Sequence, residues 1–357
     1  MAFTNRIPLI KKIEELRQST VICYLTSVRP NLAANMSEDA VRVFFDHMLL
    51  LPQRPVKKID VFLCSNGGSG TVPWRLISLL REFGESVGVL IPYRAYSAAT
   101  LLALGANDIV MHPFAEMGPI DPSVTNDFNP INPQTNRQIP ISVEDVKAYI
   151  SFVKSTAGIQ HEDEFVKAIE ILAGKVHPLA LGNVERFISQ SRLIARKILT
   201  THMKEEPPHK IDEIIEIMAS KLYFHGHPIN RVEAREELGL KVIENVPPEL
   251  ETAMWQLYLD YETEFENRKI FDPLTEIFAA CAANPPPPSV PGQMQIPNIP
   301  IGTEARMDLV LAMIESGRLS SYFTQTKRFL VVGIGQMNEP VIRDETLAQG
   351  WADTRAP

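Results

Sequence analysis

V61-F-L-C-S-N-G-G-S-G70 joins an apolar run, Ile59 to Cys64, to a pair of glycines at 67 and 68. A strand that stops on paired glycines can turn sharply and leave backbone N–H groups unblocked, which is a place to hold an anion. Downstream, a second apolar run, Val87 to Ile91, leads through P92-Y-R-A-Y-S97 into A98-A-T-L-L-A-L-G105, which reads as a buried helix closed by Gly105. Ser97 therefore stands where a strand hands over to a helix start. The unpaired N–H groups and positive dipole end there favour an alkoxide on Ser97 or an oxyanion beside it; a serine at that position also serves as a plain N-cap. The helix-like W74-R-L-I-S-L-L-R-E-F83 lies between the two. Two consecutive strand ends then open on one sheet edge, where the ligands of parallel sheets sit.

Working outward, the order is a strand at 21–26, a helix capped by Ser37, a strand at 59–64, a helix at 73–83, a strand at 86–91, a helix at 97–104 and a strand at 108–111. Strands alternating with crossover helices make an α/β fold with a mainly parallel sheet, and right-handed crossovers place the Gly67-Gly68 and Ser97 ends side by side. From Asp121 to Pro140 the chain is rich in Asn, Pro, Thr and Gln and reads as a long surface loop, either a wall of the site or an insertion. Helical patterns resume at 142–154, 163–173, 178–202 and 212–222, and L240-K-V-I243 reads as a returning strand. Residues 1–246 thus form the main domain and 247–284 a helical extension. Seven prolines in 285–300 form a stiff linker. Beyond it, Glu304 to Arg318 reads as an amphipathic helix and F329-L-V-V-G-I334 as a strand. This 301–357 unit is too short to bury its own core, so it is expected to dock on the main domain or on a neighbouring subunit.

Composition narrows the classes. Hydrophobic residues at 45% and charged residues at 22% are those of a globular chain with ample core. A net charge of −8 argues against general attraction to nucleic acid. The three cysteines, Cys23, Cys64 and Cys281, are far apart and odd in number, as expected of buried thiols in a reducing compartment rather than a zinc site. The N-terminus lacks a secretory h-region, and no stretch reaches about 18 apolar residues, so a cytoplasmic protein is expected.

S65-N-G-G68, A95-Y-S97-A-A-T-L-L-A-L-G-A-N-D108 and M117-G-P-I-D121 with Pro122 resemble the Clp protease and crotonase superfold in its signal peptide peptidase A-like branch. The serine dehydrogenase proteinase family is the nearest match. The resemblance extends through H177-P-L-A-L-G182 and Y223-F-H-G-H-P-I-N-R-V-E-A234 to about Val246. It implies a spiral of β-β-α units that assembles as a homo-oligomer. It also implies a serine peptidase acting on peptide or protein substrates, with Ser97 as nucleophile and the amides of Gly68 and Ala98 as oxyanion donors. An extended substrate would lie beside the Gly67-Gly68 edge.

A serine needs an adjacent base. Clp proteases place a histidine just after the fourth strand, where this chain has Gly118-Pro119-Ile120-Asp121-Pro122 and offers no histidine. His112 comes earlier, within the strand. Signal peptide peptidase A uses a lysine in a G-x-x-K segment; counting from Gly174 puts His177 at that position and Lys175 two residues before it. Either side chain can act as general base once burial or a small shift deprotonates it, so a Ser-Lys or a Ser-His dyad is expected. Lys147 and Lys154 are further candidates, although lysines seven apart on an amphipathic helix also read as a solvated face. Asp121 orients a base, binds substrate or forms a turn before Pro122. H225-G-H227 reads better as structural than as a metal pair, for want of a third ligand. There is no G-x-S-x-G, G-x-x-x-x-G-K-[ST], H-E-x-x-H or complete G-x-G-x-x-G, and no cofactor is expected. Two alternatives keep the fold: a crotonase-like acyl-CoA enzyme using the same oxyanion hole, and a non-catalytic peptide-binding scaffold.

Overall fold

The computed structural model describes residues 3–120, 123–124, 127–132, 137–139, 141–221, 227–283, 299–335 and 339–356. Its core is a set of parallel strands: β1 (Thr20–Thr26), β2 (Val56–Cys64), β3 (Gly84–Ile91), the two-residue β4 (Arg94–Ala95) and β5 (Asp108–Met111). β1, β2, β3 and β5 lie side by side in that order, with Cys23 opposite Phe62 and Val61 opposite Val89. From Ile59 to Cys64 β2 is buried throughout and apolar at every position but Asp60, because helices cover both faces of the sheet. On one face sit α2 (Asp39–Leu49), α3 (Val72–Phe83) and α4 (Ala98–Ala103), whose Phe44, Leu76, Leu80 and Leu101 pack on Ile22, Tyr24, Val61 and Val89. The other face carries α1 (Phe3–Arg17), whose Ile10 and Ile13 pack with a helix from the far end of the chain.

Beyond β5 the chain forms β6 (Glu116–Met117), which pairs with β4, then the short antiparallel pairs β7 (Ser123–Val124) with β10 (Ile141–Ser142) and β8 (Ile131–Asn132) with β9 (Arg137–Gln138). The expected long loop therefore carries pairing of its own, over segments too short to give a period. Helices follow: α5 (Val143–Ser151), α6 (Glu162–Ala173), α7 (Pro178–Thr200), α8 (Pro208–Glu216) and α9 (Arg231–Glu236). The expected strand at 240–243 is a single parallel bridge, Val242 against Ile109, on the β5 edge. Asn230 caps α9 by accepting from the amides of Val232 and Glu233, and His227 Nε2 lies 2.7 Å from Glu233 Oε1. His225 lies outside the described residues.

α10 (Pro248–Glu264) crosses back beneath the sheet against α1, and α11 (Pro273–Ala283) follows it. The last segment departs from expectation. Residues 304–318 form no helix: Glu304–Ser316 is a strand, β11, continued by β12 (Leu319–Ile334) and β13 (Pro340–Arg355) in an antiparallel meander. β11 pairs antiparallel with β1, extending the sheet to the order β13-β12-β11-β1-β2-β3-β5. Ala305, Met307, Leu309 and Leu311 pack with Ile277 and Phe329, while Met313 joins the α1 and α10 face and Ile314 the α2 face. A register shift between Val310 and Ala312 breaks the two-residue period and leaves apolar spacings that mimic a helix.

Buried charge locks this arm in place. Arg6 of α1 is 2% exposed and makes two 2.8 Å bonds to Glu315 of β11, with a third 2.8 Å bond to Asp260 of α10. Tyr261 and Ser320 each donate to Glu315 at 2.6 Å. A second latch ties α2 to the meander: buried His47 lies 3.1 Å from Ser316 Oγ and 3.2 Å from Ser321 Oγ. Burial lowers its pKa from 6.5 to about 4, against an opposing pull from Asp353.

Removing one member of a buried ion cluster leaves the others uncompensated, so Arg6→Met is expected to lower unfolding free energy by about 3–5 kcal/mol, read from urea midpoints. His47 is neutral when folded and takes up a proton when unfolded, so its contribution is intact above pH 6.5 and is lost as pH falls towards 4. Thermal scans across that range should show a falling midpoint, with a shallower fall in His47→Gln; an unchanged slope in the variant would exclude this role.

Candidate active site

Ser65 follows β2 directly, and its backbone bridges to the next strand end: its amide donates to Arg94 O at 3.0 Å, and its carbonyl accepts from Tyr96 N at 3.0 Å. The Ser65 hydroxyl accepts from the Gly67 amide at 3.1 Å and meets Thr26 Oγ1 at 2.7 Å. These bonds hold the glycine pair against Tyr96-Ser97-Ala98. A Cβ on Gly67, where φ is 94°, would lie 2.5 Å from Tyr96 O and 2.9 Å from both Ala98 N and Ser97 Cβ. Only glycine fits that approach.

A trans peptide carries its C=O and N–H on opposite sides, so the partner of one fixes the aim of the other. Gly67 O accepts from Met36 N at 2.7 Å, which turns the Gly68 N–H of the same peptide away from Met36. Ser97 O accepts from Leu101 N at 3.0 Å, which turns the Ala98 N–H out of the start of α4. Among the described residues neither amide has a protein acceptor. α4 spans six residues, so an anion placed here would meet these two N–H groups rather than a long helix dipole.

Ser97 itself has φ 52° and ψ −115°, a conformation that costs an L-residue about 1–3 kcal/mol and persists only where the surroundings impose it. An N-cap serine takes an extended backbone and bonds its hydroxyl to the helix start. Ser97 does neither. Its half-buried hydroxyl instead lines a cleft of about 290 Å³ walled by Gly68, Ser69, Gly70, Thr71, Leu101 and Ile120, and closed on its far side by Phe187, Gln190, Ser191 and Ile194 of α7. Ser191 Oγ donates to Ile120 O at 2.7 Å, fixing α7 across the opening. Thr100 anchors the floor, its hydroxyl bonding Ala95 O at 2.7 Å and Gly118 O at 2.8 Å.

The structure thus brings Ser97, Gly67, Gly68 and Ala98 together. It does not bring Lys175 or His177 into the cleft lining: both are exposed on the turn between α6 and α7. His177 Nδ1 accepts from Leu179 N at 3.2 Å, and its ring stacks 5.0 Å from Phe128. Lys147 lines a separate groove between α5 and α7, and Lys154 lies 4.6 Å over the Phe165 ring. His112 stacks 4.9 Å from Trp255, and burial lowers its pKa. Asp121 lies outside the described residues. Ser65, Thr71 and the α7 wall were not legible as site residues. Ser65 was in view within S-N-G-G, whereas Phe187 and Ile194 read as an ordinary buried helix face.

Residues 2–169 match the model of the ClpP-like SDH-type serine proteinases. Two uncharacterized proteins of Methanocaldococcus jannaschii, MJ0137 and MJ1495, are each 26% identical to the chain, over 202 and 189 residues. These alignments take in 57% and 53% of this chain and 59% and 53% of the relatives, so the chain spans less than two thirds of the length of either. Among solved structures, the 1510-N membrane-bound stomatin-specific protease aligns over 66% of this chain and 84% of its own at 14% identity, with a TM-score of 0.35.

Gly67→Ala should force the two strand ends apart, since the added methyl meets backbone atoms that cannot yield. The expected outcome is a folded protein of lower melting temperature whose Ser97 reacts at least about 100-fold more slowly with a serine-directed fluorophosphonate, the scale of losing one oxyanion donor. Wild-type reactivity in this variant would show that the close approach is dispensable.

Proposed function

We propose that the chain, whose residues 2–169 match the model of the ClpP-like SDH-type serine proteinases, is a serine endopeptidase acting through Ser97. The observation that carries this reading is the pairing of a strained, uncapped serine with two amides, those of Gly68 and Ala98, that have no acceptor among the described residues. Ser97 Oγ attacks the peptide carbonyl and gives its proton to the base. The developing oxyanion is held by the two amides. The base then protonates the leaving amine, and water, activated by the same base, releases the acyl group. Nothing in this sequence of steps requires ATP, a metal or a cofactor. The substrate is an extended peptide lying along the Gly67-Gly68 edge.

Lys175 or His177 supplies the base in this proposal. Phe187, on the cleft wall, is ten residues beyond His177 along α7, about 15 Å at 1.5 Å per residue. Either candidate therefore reaches Ser97 only when the α6–α7 turn closes towards the cleft, or when a second copy presents its own turn. A homo-oligomer fits the second route. No described helix is long and apolar enough to cross a membrane. The non-catalytic reading is favoured by one observation: among the described residues no lysine or histidine lines the Ser97 cleft.

A fluorophosphonate probe separates these readings. Wild type should be labelled and Ser97→Ala should not; of Lys175→Ala and His177→Ala, one should slow labelling by about 10²–10⁴-fold, the usual worth of a general base. A wild-type protein that stays unlabelled would indicate a scaffold or an acyl-CoA enzyme instead.

A further inference from the structure

Gly68 cannot be aimed by its own loop, because a glycine pair is the most flexible backbone the chain has. Its position is set from outside, by Met36. The Met36 amide donates to Gly67 O at 2.7 Å and the Met36 carbonyl accepts from Ser69 N at 2.9 Å, bracketing Gly68. A Cβ on Gly68 would stand 2.4 Å from Met36 O, so the two backbones touch. Met36 lies in a segment without regular structure between β1 and α2, and it needs an anchor of its own.

That anchor is found two residues on. Glu38 reaches the 69–71 loop, where its Oε1 accepts from the hydroxyls of Thr71 and, at 3.4 Å, Ser69, while its Oε2 accepts from Arg75 of α3. Ser69 and Thr71, themselves 3.0 Å apart, line the Ser97 cleft. The neighbouring Asp39 accepts from Ser37 and, at 2.7 Å, from Trp351 Nε1 of β13. The Met36 segment is thus tied on one side to the cleft loop and on the other to the C-terminal meander, which lies outside residues 2–169.

We propose that Glu38 is a positioning residue for the reaction: by bonding Ser69 and Thr71 it holds the Met36–Gly68 bridge and keeps the Gly68 amide aimed at the oxyanion. This rests on the peptidase reading of Ser97. Glu38 and Arg75 are 46% and 54% exposed, and an exposed ion pair contributes little to stability, so loss of Glu38 should leave the fold nearly unchanged while loosening the donor. A misplacement of about 1 Å at a reacting centre costs up to about 100-fold in rate.

The test measures fluorophosphonate labelling of Ser97 in the full chain, separating the maximal rate, kinact, from the half-saturating concentration, KI. Glu38→Ala should lower kinact about 10–100-fold with KI within about threefold, and melt within a few degrees of wild type. Thr71→Val, which removes the hydroxyl but keeps the shape, should reproduce part of the loss, and Thr71→Ser should restore it. Equal kinact in wild type, Glu38→Ala and Thr71→Val overturns the proposal. If Glu38→Ala fails to fold, the Thr71 pair decides alone: equal rates for Val and Ser overturn it. Absence of labelling in wild type counts instead against Ser97 as nucleophile, a distinct failure.

Discussion

A peptide plane cannot point its carbonyl and its amide the same way, and the candidate site depends on that constraint. Two carbonyls, of Gly67 and Ser97, are each tied down by one amide, from Met36 and Leu101. Each tie leaves an N–H facing the opposite way, one on Ala98, which follows Ser97 in the chain, and one on Gly68, which lines the same cleft as Ser97. The glycines matter less as flexible residues than as thin ones. Gly67 lets Tyr96-Ser97-Ala98 approach to contact distance, and Gly68 lets Met36 do the same from the other side. A side chain at either position would separate backbones that are in contact here.

The sheet makes that convergence possible. β2 and β3 are neighbours in parallel, so the loops that leave their C-terminal ends open on the same edge. Asp60 of β2 is fully buried beneath that sheet, bonded by Arg17 and Ser19, and its carboxylate occupies the space a side chain on Gly88 of β3 would need. The Arg6 cluster does comparable work at the other end, joining α1, α10 and β11 through one buried guanidinium. In this way residues from both ends of the chain brace the strands that present the site.

Much of the parallel core was legible in the sequence because its signals are local. The apolar runs at β2 and β3, the glycine stops, and the short helix after Ser97 each announce themselves within ten residues. The C-terminal meander did not, for two physical reasons. Its pairing partner, β1, is about 290 residues away, and the bulge at Leu311 changes which face the side chains occupy halfway along the strand. Propensity and periodicity describe a segment alone, whereas the free edge of β1 decides what residues 304–316 become. At the site the division is similar. Ser97 and the glycine pair carry a recognisable pattern; the roles of Ser65, Met36 and Glu38 arise only when separate segments meet. Asp121 and His225 lie outside the described residues, and Lys175 and His177 sit on a turn whose relation to the cleft no spacing rule conveys.

The central claim is that the amides of Gly68 and Ala98 share one oxyanion bound to Ser97. A crystal structure of the protein after reaction with a peptide aldehyde tests it most directly, because the hemiacetal oxygen marks where the oxyanion sits. That oxygen should lie about 2.7–3.1 Å from both nitrogens. An adduct on another residue, or a Ser97 adduct whose oxygen faces away from the Gly68 amide, would contradict it.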